Sequence, residues 1–355
     1  MPDIFQQPLE VFAMRMLSCL AVICSLLPAA ASQAQEIVET DTHNMQLVAD
    51  GVWFAVGNGT VYTMSNALVI ERDEDVVIVD SHVTPAAGAA LLDSIAVVTD
   101  KPVTTVINSH FHYDHAFGTQ AFGDDIQVIG HEYTRARLSN DPLNDPTYLR
   151  SLERFDNTVA DIETRLAAAD DAAERAGLET ELSFWRAHVS SQEETDPVAP
   201  NVSVSDRMTL YRGGREIQLV WLGRAHTGGD LAVYLPEEKI VFTGDMMLGR
   251  PSYMGDGYVG EWGATLGRLK QLDIELVLPG HGEGFSDLRI IDYVQAYYND
   301  LHSEVMRLKN QGYPAAEAAA RVDLRHHQDS LGISELGADM LTVQRIYDLA
   351  DGVAE

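Results

Sequence analysis

The heptapeptide Ser109-His110-Phe111-His112-Tyr113-Asp114-His115 constrains this chain more than any other stretch. Three imidazoles and a carboxylate fall within six residues, directly after the apolar run 103–107. With this chain's own His and Asp content, a chance H-x-H-x-D-H costs on the order of one in a million per window, so accident explains it poorly. Spacing supplies the chemistry. Alternate side chains of an extended segment share a face, so His110 and His112 can grip one ion together. If the backbone then turns, Asp114 and His115 face a second ion beside it. Neutral imidazole and carboxylate are usual nitrogen and oxygen ligands for zinc. The apolar run reads as a buried strand, which places the motif at a strand's carboxyl end.

The chain has 355 residues, 46% of them hydrophobic, enough to bury a full core. Against 54 acidic residues stand 24 basic ones, a formal net charge of −30. Only Lys101, Lys239, Lys270 and Lys309 are lysines, and no basic cluster exists to meet a phosphate backbone. Nucleic acid is therefore not an expected partner; a small-molecule substrate is. The negative charge favours solubility and slows the approach of anions.

The N-terminus reads as an export signal over 1–34. Met14-Arg15 opens it, 16–27 is apolar, and 28–34 supplies small residues for cleavage near Ala34. Residues 1–13 carry Asp3 and Glu10 without a basic residue, so translation is expected to start at Met14. About twelve apolar residues are too few to span a bilayer, so no stable membrane anchor is expected. The expected location is periplasmic or secreted. Cys19 and Cys24 both lie within the signal, which leaves the mature chain without disulfide or thiolate ligand.

From residue 41, β-rich runs at 52–56, 61–64 and 67–70 read as antiparallel hairpins. Val76-Val77-Ile78-Val79 is apolar on both faces and suits a central strand. Residues 84–98 form a helix capped by Thr84 with Pro85 in its first turn. Strands at 103–108 and 126–129 continue an α/β alternation. Residues 141–195 interrupt it with apolar positions at threes and fours, one long helix or a helical hairpin. That insertion serves as a surface decoration, a cover over the motif, or an arm for homo-oligomer assembly. Strands resume at 202–204, 208–211, 217–222, 231–235 and 239–243. A helix at 260–271, a strand at 274–278 and a helix at 287–310 follow, with two more helices in 315–354. The expected organisation is one domain over 41–285, with C-terminal helices over 286–355 packed on it.

Three further residues have suitable chemistry beyond β-rich runs: His226 in His-Thr-Gly-Gly-Asp, Asp245 after Val-Phe-Thr-Gly, and His281 in Leu-Pro-Gly-His-Gly. With the opening motif they make five histidines and two aspartates at strand ends. Over about residues 45–285 this pattern resembles the metallo-β-lactamase superfamily. The resemblance implies an α/β fold, a four-layer αββα sandwich, here with a helical insertion. It also implies that His110, His112 and His226 bind one zinc ion while Asp114, His115 and His281 bind a second. Asp245 would bridge them, and Asp80 would support the metal loop from behind. Two zinc ions are the expected cofactors, with iron or manganese as substitutes.

Two cations sharing a water lower its pKa toward neutrality, which makes hydroxide available for attack on a carbonyl or similar electrophile. Asp114 would orient that nucleophile and pass its proton to the leaving group. The expected activity is hydrolysis of a small ester, lactone, thioester or amide. A β-lactamase and an iron-dependent oxidoreductase are the alternatives. One lactamase subclass carries cysteine at the position of Asp245 and another serine; aspartate matches the glyoxalase II, lactonase and phosphodiesterase-like branches. The lysine that cysteine-bearing lactamases place three residues later is Leu248 here, with Arg250 as a stand-in. Tyr253, Met254 and Tyr258 are expected to line the substrate pocket, opposite Trp53, Tyr62 and Met64. His82 is expected behind the site. His43, His131, His188, His302, His326 and His327 fit no ligand pattern and are read as surface or structural.

Overall fold

The computed structural model describes residues 36–211 and 213–353, so the expected export signal lies outside the described residues. Five strands open the chain as a meander: β1 (Ile37–Glu39), β2 (His43–Ala49), β3 (Val52–Gly57), β4 (Ala67–Glu71) and β5 (Val76–Val79). Each is antiparallel to the one before. Helix α1 (Pro85–Val98) crosses over to β6 (Val103–Ile107), which lies parallel to β5. The helical turn α2 (Tyr113–Ala116), β7 (Gln127–His131) and α3 (Glu132–Ser139) follow. Next come α4 (Pro146–Ala168), α5 (Ala172–Glu193) and β8 (Val202–Val204), which closes an eight-stranded sheet in chain order. The second sheet holds β9 (Arg207–Leu210), β10 (Ile217–Trp221), β11 (Leu231–Leu235), β12 (Ile240–Gly244) and, after α6 (Val259–Leu269), β13 (Leu276–Pro279). Helices α7 (Arg289–Asn310), α8 (Ala315–Ala319), α9 (Gln328–Leu331) and α10 (Met340–Ala350) end the chain.

The four apolar residues of β5 show why the layers stack. Val77 and Val79 face the second sheet among Phe54, Leu68, Ile107, Leu219 and Phe242. Val76 and Ile78 face Leu91 and Ile95 of α1. Strand alternation thus commits one face to each neighbour. The outer face of the second sheet is covered by α6, α7, α8 and α10 through residues such as Trp262, Leu266, Tyr298 and Val343. The result is the expected α/β sandwich of helix, sheet, sheet and helix. Thr84 caps α1 by accepting from the Ala87 N–H, with Pro85 in the first turn, as the sequence predicts.

The insertion is a helical hairpin. Asp145 caps α4 through the Thr147 and Tyr148 N–H groups, and Asp171 caps α5 through Ala173 and Glu174. Tyr148 and Phe155 pack on Phe111, Tyr113 and Phe117, so the hairpin docks on the motif loop itself. Two elements depart from expectation. Residues 61–64 are irregular, because Met64 takes a left-handed φ of 64° that a strand excludes. The tail breaks into three short helices, with Gly332 and Gly337 at positive φ ending the second and preceding the third. No helix among the described residues is long and apolar enough to cross a membrane.

Buried imidazoles set a lower pH limit on this packing. Burial pulls His43 down to about 4, and burial aided by Arg154 pulls His188 in α5 down to about 4. A base whose folded pKa lies below its unfolded value of about 6.5 contributes stability that is full above 6.5. That contribution is lost as pH falls through about 4. Each shift corresponds to on the order of 3 kcal/mol. Buried Asp230, raised by burial to about 7, titrates in the opposite sense over the same window, so the comparison with a variant isolates the histidine. Between about pH 6.5 and 4 the thermal midpoint of wild type should fall further than that of His188→Gln. Equal pH dependence in the two proteins contradicts the assignment.

Candidate metal centre

Beyond β6 the motif turns sharply. The Asn108 N–H donates to the Ile129 carbonyl, and Ser109 then bends over Asp80, donating its N–H to Oδ1 at 2.7 Å. His110 and His112 precede the turn, while Asp114 and His115 lie in the single turn of α2. The backbone change that the spacing required is present. His226 arrives on the loop before β11, closed by Asp230, which accepts from the Thr227 N–H and hydroxyl. Asp245 follows β12 and His281 follows β13. Gly280 admits this last loop: a Cβ there would meet Asp245 Oδ1 at 2.5 Å and His115 Cε1 at 2.7 Å.

Ligand atoms of His110, His112 and His226 all lie within 4.8 Å of one another, and so do those of Asp114, His115 and His281. Asp245 groups with His110 and His115 between the two sets. His226 Nε2 stands 2.9 Å from His112 Nδ1, and His115 Nε2 stands 3.3 Å from His281 Nε2. Asp114 Oδ2 is 3.0 Å from His281 Nε2, and Asp245 Oδ2 is 3.6 Å from His226 Nε2.

The far nitrogens decide what can fill this space. His115 Nδ1 donates to Asp80 at 2.7 Å, His281 Nδ1 to the Met64 carbonyl at 2.8 Å, and His226 Nδ1 to the Tyr253 carbonyl at 2.9 Å. His112 Nε2 donates to Asp256 at 3.1 Å. Ser109 Oγ, committed as a donor to Asp80, accepts from His110 Nδ1 at 3.0 Å. Each imidazole proton is thereby held outside, and five bare nitrogens converge with two carboxylates. His110 Nε2 and Asp245 Oδ1 are buried without any hydrogen-bond partner. Lone pairs facing lone pairs in a buried space are repulsive unless a cation sits among them. The donor set fits divalent metal ions.

The two carboxylates demand positive charge here. Burial works against charge on Asp114 and Asp245, yet neighbouring His115 and His281 hold both carboxyls well below the usual range. His281, despite burial, is raised to about 10, chiefly by Asp245 and Asp114, so without a cation its ring takes a second proton, which a bound metal ion would displace.

Asp80 is the main support from behind. It sits at φ 64° and takes three hydrogen bonds, two from Ser109 and one from His115. Its removal should release both sets of ligands at once. Asp80→Ala is expected to weaken metal binding about 10- to 100-fold, read by titrating the metal-free protein. Unchanged affinity contradicts this role. Asp256, which holds His112, was not legible in the sequence, because nothing separates it from other loop acids. The Met64 carbonyl was equally hidden, being backbone. His82 lies behind Asp114 through Ser65, whose hydroxyl sits 3.2 Å from His82 Nδ1 and donates to the Asp114 carbonyl at 2.6 Å. His43 is fully buried and joins that chain, Nε2 to Nε2 at 3.0 Å. His131 accepts from the Tyr133 N–H at the start of α3. His326 and His327, expected to match no ligand pattern, both meet Asp300 at 3.0 Å.

A cavity of about 240 Å³ opens over the ligands. Besides His112, Asp114, His226, Asp245 and His281 it is lined by Met64, Tyr253 and, from α4, Thr147, Arg150 and Arg154. Several expected wall residues lie elsewhere. Trp53 points to the α1 side of its sheet and donates to Glu71, because β3 alternation turns it away from Phe54. Tyr62 is absorbed by the hairpin, its ring 5.0 Å from Trp185. Met254 is core beneath α6 and α7. Tyr258 is buried under Arg224 and Arg345. Arg250 is exposed and does not line the cavity.

A family profile described as the metallo-beta-lactamase superfamily matches residues 61–281. A linear primary-alkylsulfatase of Pseudomonas sp. (strain ATCC 19151) is 21% identical over 275 residues, 73% of this chain and 50% of the relative. The 2,4-dinitroanisole O-demethylase subunit alpha of Nocardioides sp. (strain JS1661) is 26% identical over 234 residues, 63% and 55% of the two chains. The chain thus spans about half the length of these curated relatives. The solved structure of the stereoselective inverting sec-alkylsulfatase Pisa1 from Pseudomonas sp. matches with a TM-score of 0.61 at 17% identity. That match covers 89% of this chain and 50% of the other, and shows a shared fold.

Proposed function

The chain belongs to the metallo-beta-lactamase superfamily, and on that premise we propose that it is a hydrolase working with two metal ions on a small ester-like substrate. The observation that carries this is the convergence of five bare imidazole nitrogens in two sets, with Asp245 between them. His110, His112 and His226 would hold one ion, Asp114, His115 and His281 the other, and Asp245 both. Nitrogen and oxygen donors without a thiolate suit zinc, with iron or manganese as substitutes. Such ions supply an acidified water and a polarised electrophile.

The chain's own groups do the rest. Asp114 presents Oδ2 to the cavity, 3.0 Å from His281 Nε2, where it can accept a proton from the nucleophile and return it to the leaving group. The hairpin covers one side of the cavity, which orients a substrate and excludes water. About 240 Å³ suits a small ester, lactone, thioester or amide, and the alkylsulfatase relative adds sulfate esters to that range. Export to the periplasm belongs to the same reading and follows from the leader-like 1–34.

Zinc-loaded protein assayed on a lactone, a thioester, an alkyl sulfate and nitrocefin should hydrolyse an ester-type member. Asp114→Asn should lose at least about a hundredfold of that activity. Full activity and full metal content in Asp114→Asn would remove Asp114 from this role. Iron in the purified protein with redox turnover and no hydrolysis would replace the reading with an oxidoreductase.

A further inference from the structure

The hairpin brings the cavity more than a lid. Thr147, Arg150, Ser151 and Arg154 recur along one face of α4, and all four line the cavity beside Asp114 and Asp245. In a chain with 24 basic and 54 acidic residues, exposed arginines usually find carboxylates. Arg137 pairs with Asp145, Arg186 with Glu163, Arg224 with Glu261 and Arg289 with Asp287. Neither Arg150 nor Arg154 has an ion-pair partner among the described residues. Arg150 is aimed by neutral groups, donating to the Tyr253 hydroxyl at 2.6 Å and to Thr147 Oγ1 at 2.8 Å. Thr147 in turn donates to Asp256, the residue that holds His112. One guanidinium is therefore tied to the metal loop's own support. Arg154 lies one turn further on, 5.2 Å over the Phe155 ring.

We infer that Arg150 and Arg154 form an anion subsite, and that the substrate carries a carboxylate, sulfate or sulfonate group held there while its scissile bond lies over the metal ligands. The inference rests on the hydrolase reading. Two planar guanidinium forks present parallel N–H donors that match the geometry of such oxyanions. The chain's −30 charge does not forbid this. At physiological ionic strength, distant charges are screened beyond about 8 Å, whereas the guanidinium groups act at contact. The subsite would select anions locally that the surface as a whole repels.

The test compares para-nitrophenyl butyrate with the para-nitrophenyl half-ester of glutarate, which share a leaving group and differ in charge. Wild type should prefer the anionic ester. Arg150→Gln with Arg154→Gln should lose about a hundredfold in kcat/KM on it, mostly in KM. Arg154→Gln alone, which breaks no hydrogen bond, should lose about tenfold on the anionic ester while the neutral ester stays within about twofold and metal content is unchanged, and Arg154→Lys should recover part of that loss. Equal losses on both esters, no loss, or a wild-type preference for the neutral ester overturns the inference and leaves the hydrolase reading standing. If wild type hydrolyses neither ester, calorimetric binding of hexanoate and of hexanesulfonate still decides. Binding weakened about tenfold or more in the double variant supports the subsite. Equal binding by both proteins overturns it.

Discussion

Asp245→Asn should reduce bound metal from two ions per chain to one or none and cut turnover by more than about a hundredfold. The substitution keeps the shape of the side chain and removes its charge. Asp245 stands 3.4 Å from both His115 and His281 and 3.6 Å from His226, so it faces both sets of ligands. Its Oδ1 is buried with no hydrogen-bond partner, a costly arrangement unless a cation supplies the missing interaction. Losing an outer support of a metal ligand typically costs 10- to 100-fold in affinity or activity, and loss of a shared ligand should exceed that. Gly280 packs against this carboxylate too closely for any compensating side chain to enter. Metal analysis after gel filtration, beside a turnover assay, reads both effects. A variant that retains two ions removes Asp245 from the bridging position.

The second large effect lies one layer out. Trp262→Ala should destabilise the protein by about 3–5 kcal/mol, lowering the thermal midpoint by roughly 10 °C. Trp262 is fully buried, stacked on Tyr298 with centroids 4.2 Å apart. Its Nε1 donates to the Met246 carbonyl at 2.8 Å, next in sequence to Asp245. Tyr298 accepts from the Ser252 N–H, and Ser252 Oγ reaches His226 Nδ1 at 3.3 Å. The indole thus supports residues beside two proposed ligands as well as filling the core. Truncation opens a cavity and leaves a buried carbonyl unpaired. Trp262→Phe should recover most of the packing and none of the hydrogen bond. Urea unfolding of the three proteins measures this order, and a wild-type midpoint in Trp262→Ala contradicts it.

The residues of the candidate metal centre were legible because each sits within a few residues of a strong local signal. His110, His112, Asp114 and His115 form one linear motif, while His226 and His281 lie beside glycines that permit tight loops. The strands were legible through alternation and the central position of β5 through its unbroken apolar run. What stayed hidden depends on tertiary placement. Nothing in β3 says which of Trp53 and Phe54 faces the second sheet, so Trp53 reads as a wall residue although it turns to α1, while Met64 and Tyr253 do line the cavity. Residues 61–64 look like a strand, yet Met64 adopts a left-handed φ of 64° and delivers its carbonyl to His281. The periodicity of 141–195 fits one helix or two, and only the docked structure shows Arg150 and Arg154 over the ligands. Asp256 acts on His112 from 144 positions away, a separation that no local pattern reports.

The most direct test of the proposed dinuclear hydrolysis is a metal titration of the stripped chain, followed by elemental analysis and hydrolysis of an ester-type substrate at each addition. The predicted result is no turnover without metal, saturation at two ions per chain, and full activity only as the second ion binds. His110→Ala should saturate at one ion and remain inactive. Saturation at a single ion in wild type, or hydrolysis that persists after complete metal removal, contradicts the account.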